Sequence, residues 1–163
     1  MVLECAKDSV HQSFKSKKVG LVDVKLGVNT TIVEPANLYG CTIGDGSFVG
    51  PFVEIQSDAI IGKNCRIQSH SFFCSKVKIG DHCFIGHGVT FTNDLFKEGI
   101  PSQNAKDWLP TIIEEQVSIG SGSTILPVRI VSGCVIGAGS VVTKDLLVKG
   151  VYAGNPARLL RKL

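Results

Sequence analysis

His70, His87, Asn93 and Asp94 stand close together in the middle of the chain. Histidine is the side chain whose ordinary pKa lies near neutrality, so His70 and His87 are the candidate bases for taking a proton at physiological pH. What is missing narrows the chemistry. There is no GxSxG turn and no Ser-His-Asp pattern, and the six cysteines, Cys5, Cys41, Cys65, Cys74, Cys83 and Cys134, include no CxxC pair. They read as reduced filler of an apolar core. His, Asn and Asp also tolerate left-handed backbone, so a corner residue without chemistry stays an open reading for each candidate.

The elements that must position these residues are set by a period of six. Ile43, Val49, Ile55, Ile61, Ile67, Phe73, Ile79, Ile85 and Phe91 recur every six positions, a spacing that fits neither a helix nor an ordinary strand. It is the spacing of short strands wound into a parallel β-helix. Four places after each anchor comes a small or β-branched residue, such as Ser47, Ala59, Cys65, Ser71 or Cys83. Three places after come types suited to a left-handed corner, with Phe52 and Lys76 as the exceptions. Three hexapeptides to a coil would stack residues eighteen apart at about 4.8 Å. The expected interior columns are Ile43/Ile61/Ile79, Val49/Ile67/Ile85 and Ile55/Phe73/Phe91.

On this spacing the chain is one domain. Residues 1–22 are a leader, 23–92 and 117–150 form coils, 93–116 is an inserted loop and 151–163 a cap. The loop holds the only tryptophan, Trp108, and connections of that length within a domain are often functional. Steps of five, Leu38 to Ile43 and Ile125 to Ile130, mark irregular corners, the second beside Arg129. The proline in the last segment suggests a short helix starting near Pro156. A net charge of +3 gives no footprint for nucleic acid, and no apolar run reaches the roughly 20 residues that span a bilayer. The start, MVLECAKDSVHQSFKSKK, lacks the apolar centre of a secretory signal, so the expectation is a cytoplasmic protein.

The repeat resembles the left-handed β-helix of the hexapeptide acyltransferases, and GSVVTKD at 139–145 with AGNPAR at 153–158 looks like their acyl-coenzyme A end. Within them, NLYGCTIGD at 37–45, PFVEIQ at 51–56, IQSHSF at 67–72 and FIGHGVTFTND at 84–94 resemble bacterial N-acetyltransferases acting on nucleotide-linked 3-amino sugars. The resemblance implies an all-β fold, a left-handed parallel β-helix with one long inserted loop and a short C-terminal helix. Handedness comes from the resemblance alone, since parallel crossovers are normally right-handed. It also implies acetyl-CoA as co-substrate, no metal, and a homotrimer with its sites between subunits. The acceptor would be a dTDP-3-amino-3,6-dideoxyhexose, with a UDP-3-amino sugar next, for lipopolysaccharide, O-antigen or another surface glycan.

An amine is already a good nucleophile, so such a reaction needs orientation, a route for the proton and donors for the oxyanion rather than an activated serine. Carried over from the family, Asn93 orients the amine and accepts its hydrogen bond, and Asp94 supports the sugar or the loop. His87 and His70 are candidate bases; the departing thiolate can also take the proton. Glu54, Gln68 and Lys97 are candidates for the sugar nucleotide, Lys97 because Lys97-Glu98 stands where relatives often have Pro-Arg. Gly120, Gly137, Ala138, Lys144, Asn155, Pro156 and Arg158 are expected around coenzyme A. Two rivals share the solenoid. A sugar or serine O-acetyltransferase would depend steeply on His70 or His87. A γ-type carbonic anhydrase would use His82 and His87 as zinc ligands with a third from His70 or His11.

Overall fold

A computed structural model describes residues 20–163, so Cys5, His11 and most of the leader lie outside the described residues. Its strands are mostly two residues long and form the three faces of a parallel solenoid. The first face stacks Leu21–Val22, Asn37–Tyr39, Glu54–Ile55, Phe72–Phe73, Thr90–Phe91, Thr124–Ile125 and Val141–Val142. The second runs from Lys25–Leu26 to Arg129–Ile130, and the third from Thr31–Ile32 to the chain's end. From Thr42–Ile43 to Val141–Val142 the second residue of each two-residue strand points in and the first out, so each of these anchors is buried while its predecessor is more exposed.

The expected columns are present. Ile43 pairs with Ile61 and Ile61 with Ile79, Val49 with Ile67 and Ile67 with Ile85, and Ile55 with Phe73. Phe73 and Phe91 stack at 4.8 Å between ring centres. Burying one such side chain contributes about 1.5–3 kcal/mol, and each coil obtains that burial only from its neighbours. The small residue two places before each anchor lies in the narrow angle of a corner, where Ser47 donates to Gly62 O at 2.8 Å and accepts from Cys65 N–H at 2.9 Å. Cys41, Cys65, Cys74, Cys83 and Cys134 are buried free thiols. Glycine follows many anchors because the next coil passes close by. A Cβ on Gly44 would lie 2.7 Å from the carbonyl carbon of Gly62.

Four expectations need correction. The coils begin with Leu21–Val22, which pairs with Leu38 and Tyr39, so the leader ends before residue 21 and not at 22. The coil resumes at Thr111–Ile113, which pairs with Val77–Ile79, so the insertion ends before residue 111 and not at 116. Ile113 stands six before Ile119 and extends the repeat by a full anchor. The corner near Arg129 keeps its small-residue rule, because the step of five moves that role to buried Val128 and leaves Arg129 outward. The short C-terminal helix is absent. Residues Arg158–Lys162 form a strand antiparallel to Gly150–Ala153, after a turn containing Asn155 and Pro156. Gly150–Ala153 would otherwise leave a row of unpaired backbone groups at the sheet edge, and a segment this short is a marginal helix in any case.

Candidate active site

The first face separates two edges that carry the candidate residues. At one edge, where the first face turns into the second, the insertion leaves the solenoid after Thr92 and returns at Thr111. Asn93 sits at its root. Its side-chain Nδ2 donates to Ser75 O at 3.3 Å, and its main-chain carbonyl accepts from Leu109 N–H at 2.8 Å. A carbonyl can only accept, so this contact fixes which end of the amide is nitrogen and leaves Oδ1 as the acceptor. Asp94 organises the loop: Oδ1 accepts from Phe96 N–H at 2.8 Å and Oδ2 from Ser102 N–H at 2.6 Å.

Between the insertion and the outward side of the first face lies a cleft of about 660 Å³. Its walls include Gln56, Phe72, Thr90, Asn93, Phe96 and Trp108, and none of its lining residues is basic. Cys74 also lines it, but burial pushes its thiol up to about 12, which keeps it protonated and unfit as a nucleophile. Glu54 stands next to Phe72 on the same face and accepts from the Tyr39 hydroxyl at 3.3 Å. Burial, followed by the Glu54 charge, raises the Tyr39 phenol above its ordinary value. Lys97 lies on the far side of the loop, in an outer cleft of about 640 Å³ with Asp94, Glu98, Lys106 and Asp107.

The opposite edge, where the third face turns into the first, carries the histidines. His70 is exposed, in left-handed backbone, with its ring stacked 4.9 Å from that of Phe52. His87 is exposed one coil further on; its N–H donates to Ser121 Oγ at 3.1 Å and its carbonyl accepts from Gly122 N–H at 2.8 Å. Gln68 begins the same corner as His70. Gly120, then Gly137 and Ala138, continue this edge toward the C-terminal end, and Gly139 N–H donates to Ser121 O at 2.9 Å. The turn with Asn155 and Pro156 closes on it through Ala157 N–H to Val141 O at 2.8 Å, and Arg158 follows directly. A Cβ placed on Gly122 or Gly139 would meet nothing within 4 Å, so the edge is open alongside. Lys144 falls instead on the edge of the insertion, past Val141–Val142. His82 lies on the third corner of the coil, away from His87, and no group of three metal-ligating side chains occurs among the described residues.

Two family models of the bacterial transferase hexapeptide and the succinyl-transferase hexapeptide repeat match residues 40–75, and 76–93 with 110–144, together more than half of the chain. The chain belongs to the hexapeptide-repeat acyltransferases. The left-handed coil of these proteins is the solenoid described above. The chain is 30% identical to the bifunctional protein GlmU of Thermodesulfovibrio yellowstonii over 72% of its own length and 29% of that protein. It thus spans about a third of the curated relatives it matches. The acetyltransferase VCA0836 of Vibrio cholerae, solved with acetyl coenzyme A, superposes with a TM-score of 0.58 at 25% identity, over 89% of this chain and 72% of that one. AntD, an N-acyltransferase of Bacillus cereus solved with dTDP-4-amino-4,6-dideoxyglucose and coenzyme A, shares the fold with a TM-score of 0.57 at 22% identity, covering 86% and 83%.

In this chain, then, Asn93, Asp94 and Glu54 gather at or beside the cleft, while His70, His87, Gln68 and most of the glycine-rich positions expected around coenzyme A gather on the other edge. Phe72, Thr90 and Gln56 were not among the sequence candidates. Phe72 and Thr90 each precede an anchor, so the in-out alternation of the strands was the signal that marks them as outward wall residues.

Proposed function

We propose that this chain acetylates the amine of a nucleotide-linked amino sugar with acetyl-CoA. The acceptor is a dTDP-3-amino-3,6-dideoxyhexose before a UDP-3-amino sugar, and the product serves a surface glycan such as lipopolysaccharide or O-antigen. The observation that carries this reading is Asn93: it lines an aromatic cleft, and its nitrogen is committed to Ser75 O, which leaves its oxygen to accept from an amine. Phe72 and Trp108 offer apolar surface to a sugar ring, and Glu54 stands beside Phe72 for a hydroxyl.

The amine nitrogen attacks the thioester carbonyl, the new C–N bond forms and the C–S bond breaks. The lost proton passes to His87 or to the departing thiolate. Coenzyme A fits the opposite edge, where Gly122 and Gly139 leave open space and the strand starting at Arg158 brings positive charge. His70 and Gln68 then lie beside the thioester and not beside the amine of the same chain. A homotrimer joins the two halves, the cleft of one subunit facing the glycine-rich edge of the next.

Free thiol released from acetyl-CoA tests the reaction. Release is expected only when a nucleotide-linked 3-amino sugar is added. Silence across thymidine- and uridine-linked 3- and 4-amino sugars overturns the proposal.

A further inference from the structure

Lys76 breaks the corner rule of this chain. Its backbone is left-handed, with φ at +70°, in a position that most other coils give to Gly, Asn, Asp or His, Phe52 and Gln116 being the other departures. A long β-carbon-bearing side chain is disfavoured there, so what the side chain does must outweigh the backbone cost. The half-buried ammonium donates to two carbonyls of the insertion, Ala105 O at 2.6 Å and Trp108 O at 2.8 Å. These are the first residue of the 3-10 turn at Ala105–Asp107 and the residue just past its end. The next residue, Leu109, holds Asn93 O, and Trp108 is a wall of the cleft.

We infer that Lys76 is a positioning residue that clamps the returning limb of the insertion to the coil beneath it, and so fixes Trp108 and Asn93 for the acceptor; this rests on the acceptor reading above. A three-donor ammonium on a flexible stem suits two divergent carbonyls, where a neutral corner residue reaches neither. Beyond this clamp, the main-chain tie of Leu109 to Asn93 and the Asn93 contact with Ser75 hold the root of the loop. The clamp therefore acts on acceptor binding and not on the glycine-rich edge.

Because Trp108 is the only tryptophan, its fluorescence reads the clamp without any substrate. In the full chain, Lys76→Met removes the donors and keeps the stem, while Lys76→Gly also relieves the left-handed backbone. Both are expected to shift Trp108 emission to the red and raise its quenching by acrylamide. Lys76→Gly, which recovers the backbone cost, should lose less Tm than Lys76→Met. KM for the amino sugar should rise roughly tenfold with KM for acetyl-CoA unchanged, and Lys76→Arg should restore part of both signals. Parental emission and quenching in Lys76→Met and Lys76→Gly overturn the clamp. Altered fluorescence with an unchanged amino-sugar KM overturns its role in positioning. Failure of the parent to turn over any amino sugar removes the acceptor reading, and the quenching experiment still decides the clamp.

Discussion

Asn93 is held at both its main chain and its side chain, and that is why its loss should be read in turnover. Leu109 N–H on its carbonyl does not depend on the side chain, whereas the Ser75 contact is a single 3.3 Å hydrogen bond on a half-buried surface. Removing such a bond costs about 0.5–1.5 kcal/mol of stability, a small change for a solenoid of this size. Loss of the group that orients an amine costs far more in rate. Asn93→Ala is expected to lower kcat/KM by roughly 100-fold, with Tm within about 3 °C of the parent. Unchanged turnover removes Asn93 from the site.

Elements of two residues make each corner answerable to the coil next door. Gly44 has no room for a methyl group against Gly62, while Gly88, with φ at +64°, has open space and needs only a left-handed backbone. Gly44→Ala is therefore expected to cost about 1–3 kcal/mol and lower Tm by roughly 3–10 °C, and Gly88→Asn to change Tm little, as thermal melts would show. Glu114 stitches a corner differently. It accepts from Arg129 Nε at 2.9 Å and from the N–H and hydroxyl of Ser132, each at 3.0 Å. Arg129 first, then Ser132, holds its carboxyl below the usual range. Its contribution is present above the ordinary carboxylate pKa and is lost as pH falls through the lowered value. Glu114→Gln should accordingly melt below the parent at pH 7, with the gap closing as pH falls below the ordinary carboxylate range. A gap that stays constant with pH counts against the pairing. The same locality explains what was legible beforehand. Anchors such as Ile55 and Ile67 announce themselves by their period, and the cleft residues Phe72 and Thr90 by sitting next to an anchor. Ile113 was masked because the insertion breaks the count before it. The final strand was hidden because its pairing answers an unfilled sheet edge and leaves no apolar period of its own.

At the scale of the whole molecule, the candidate groups lie on opposite edges of one face, with Asn93 and Trp108 on one and His87, Gly122 and Gly139 on the other. His87 and Asn93 stand six residues apart on different corners of one chain, a separation of up to about 20 Å when extended. Two edges of neighbouring copies facing each other remove that distance, and a closed three-fold ring uses every edge. Three chain masses in solution are the first expectation, and an active preparation with the mass of one chain ends the proposal. Mixing gives the sharper test. Ala138→Trp fills the open edge, Asn93→Ala disables the cleft, and each alone should be nearly inactive. Co-assembled in equal amounts, the two chains place an intact cleft against an intact edge at about one junction in four, so about a quarter of parental activity should return. If both halves of the site belong to one chain, the mixture stays as inactive as its parts.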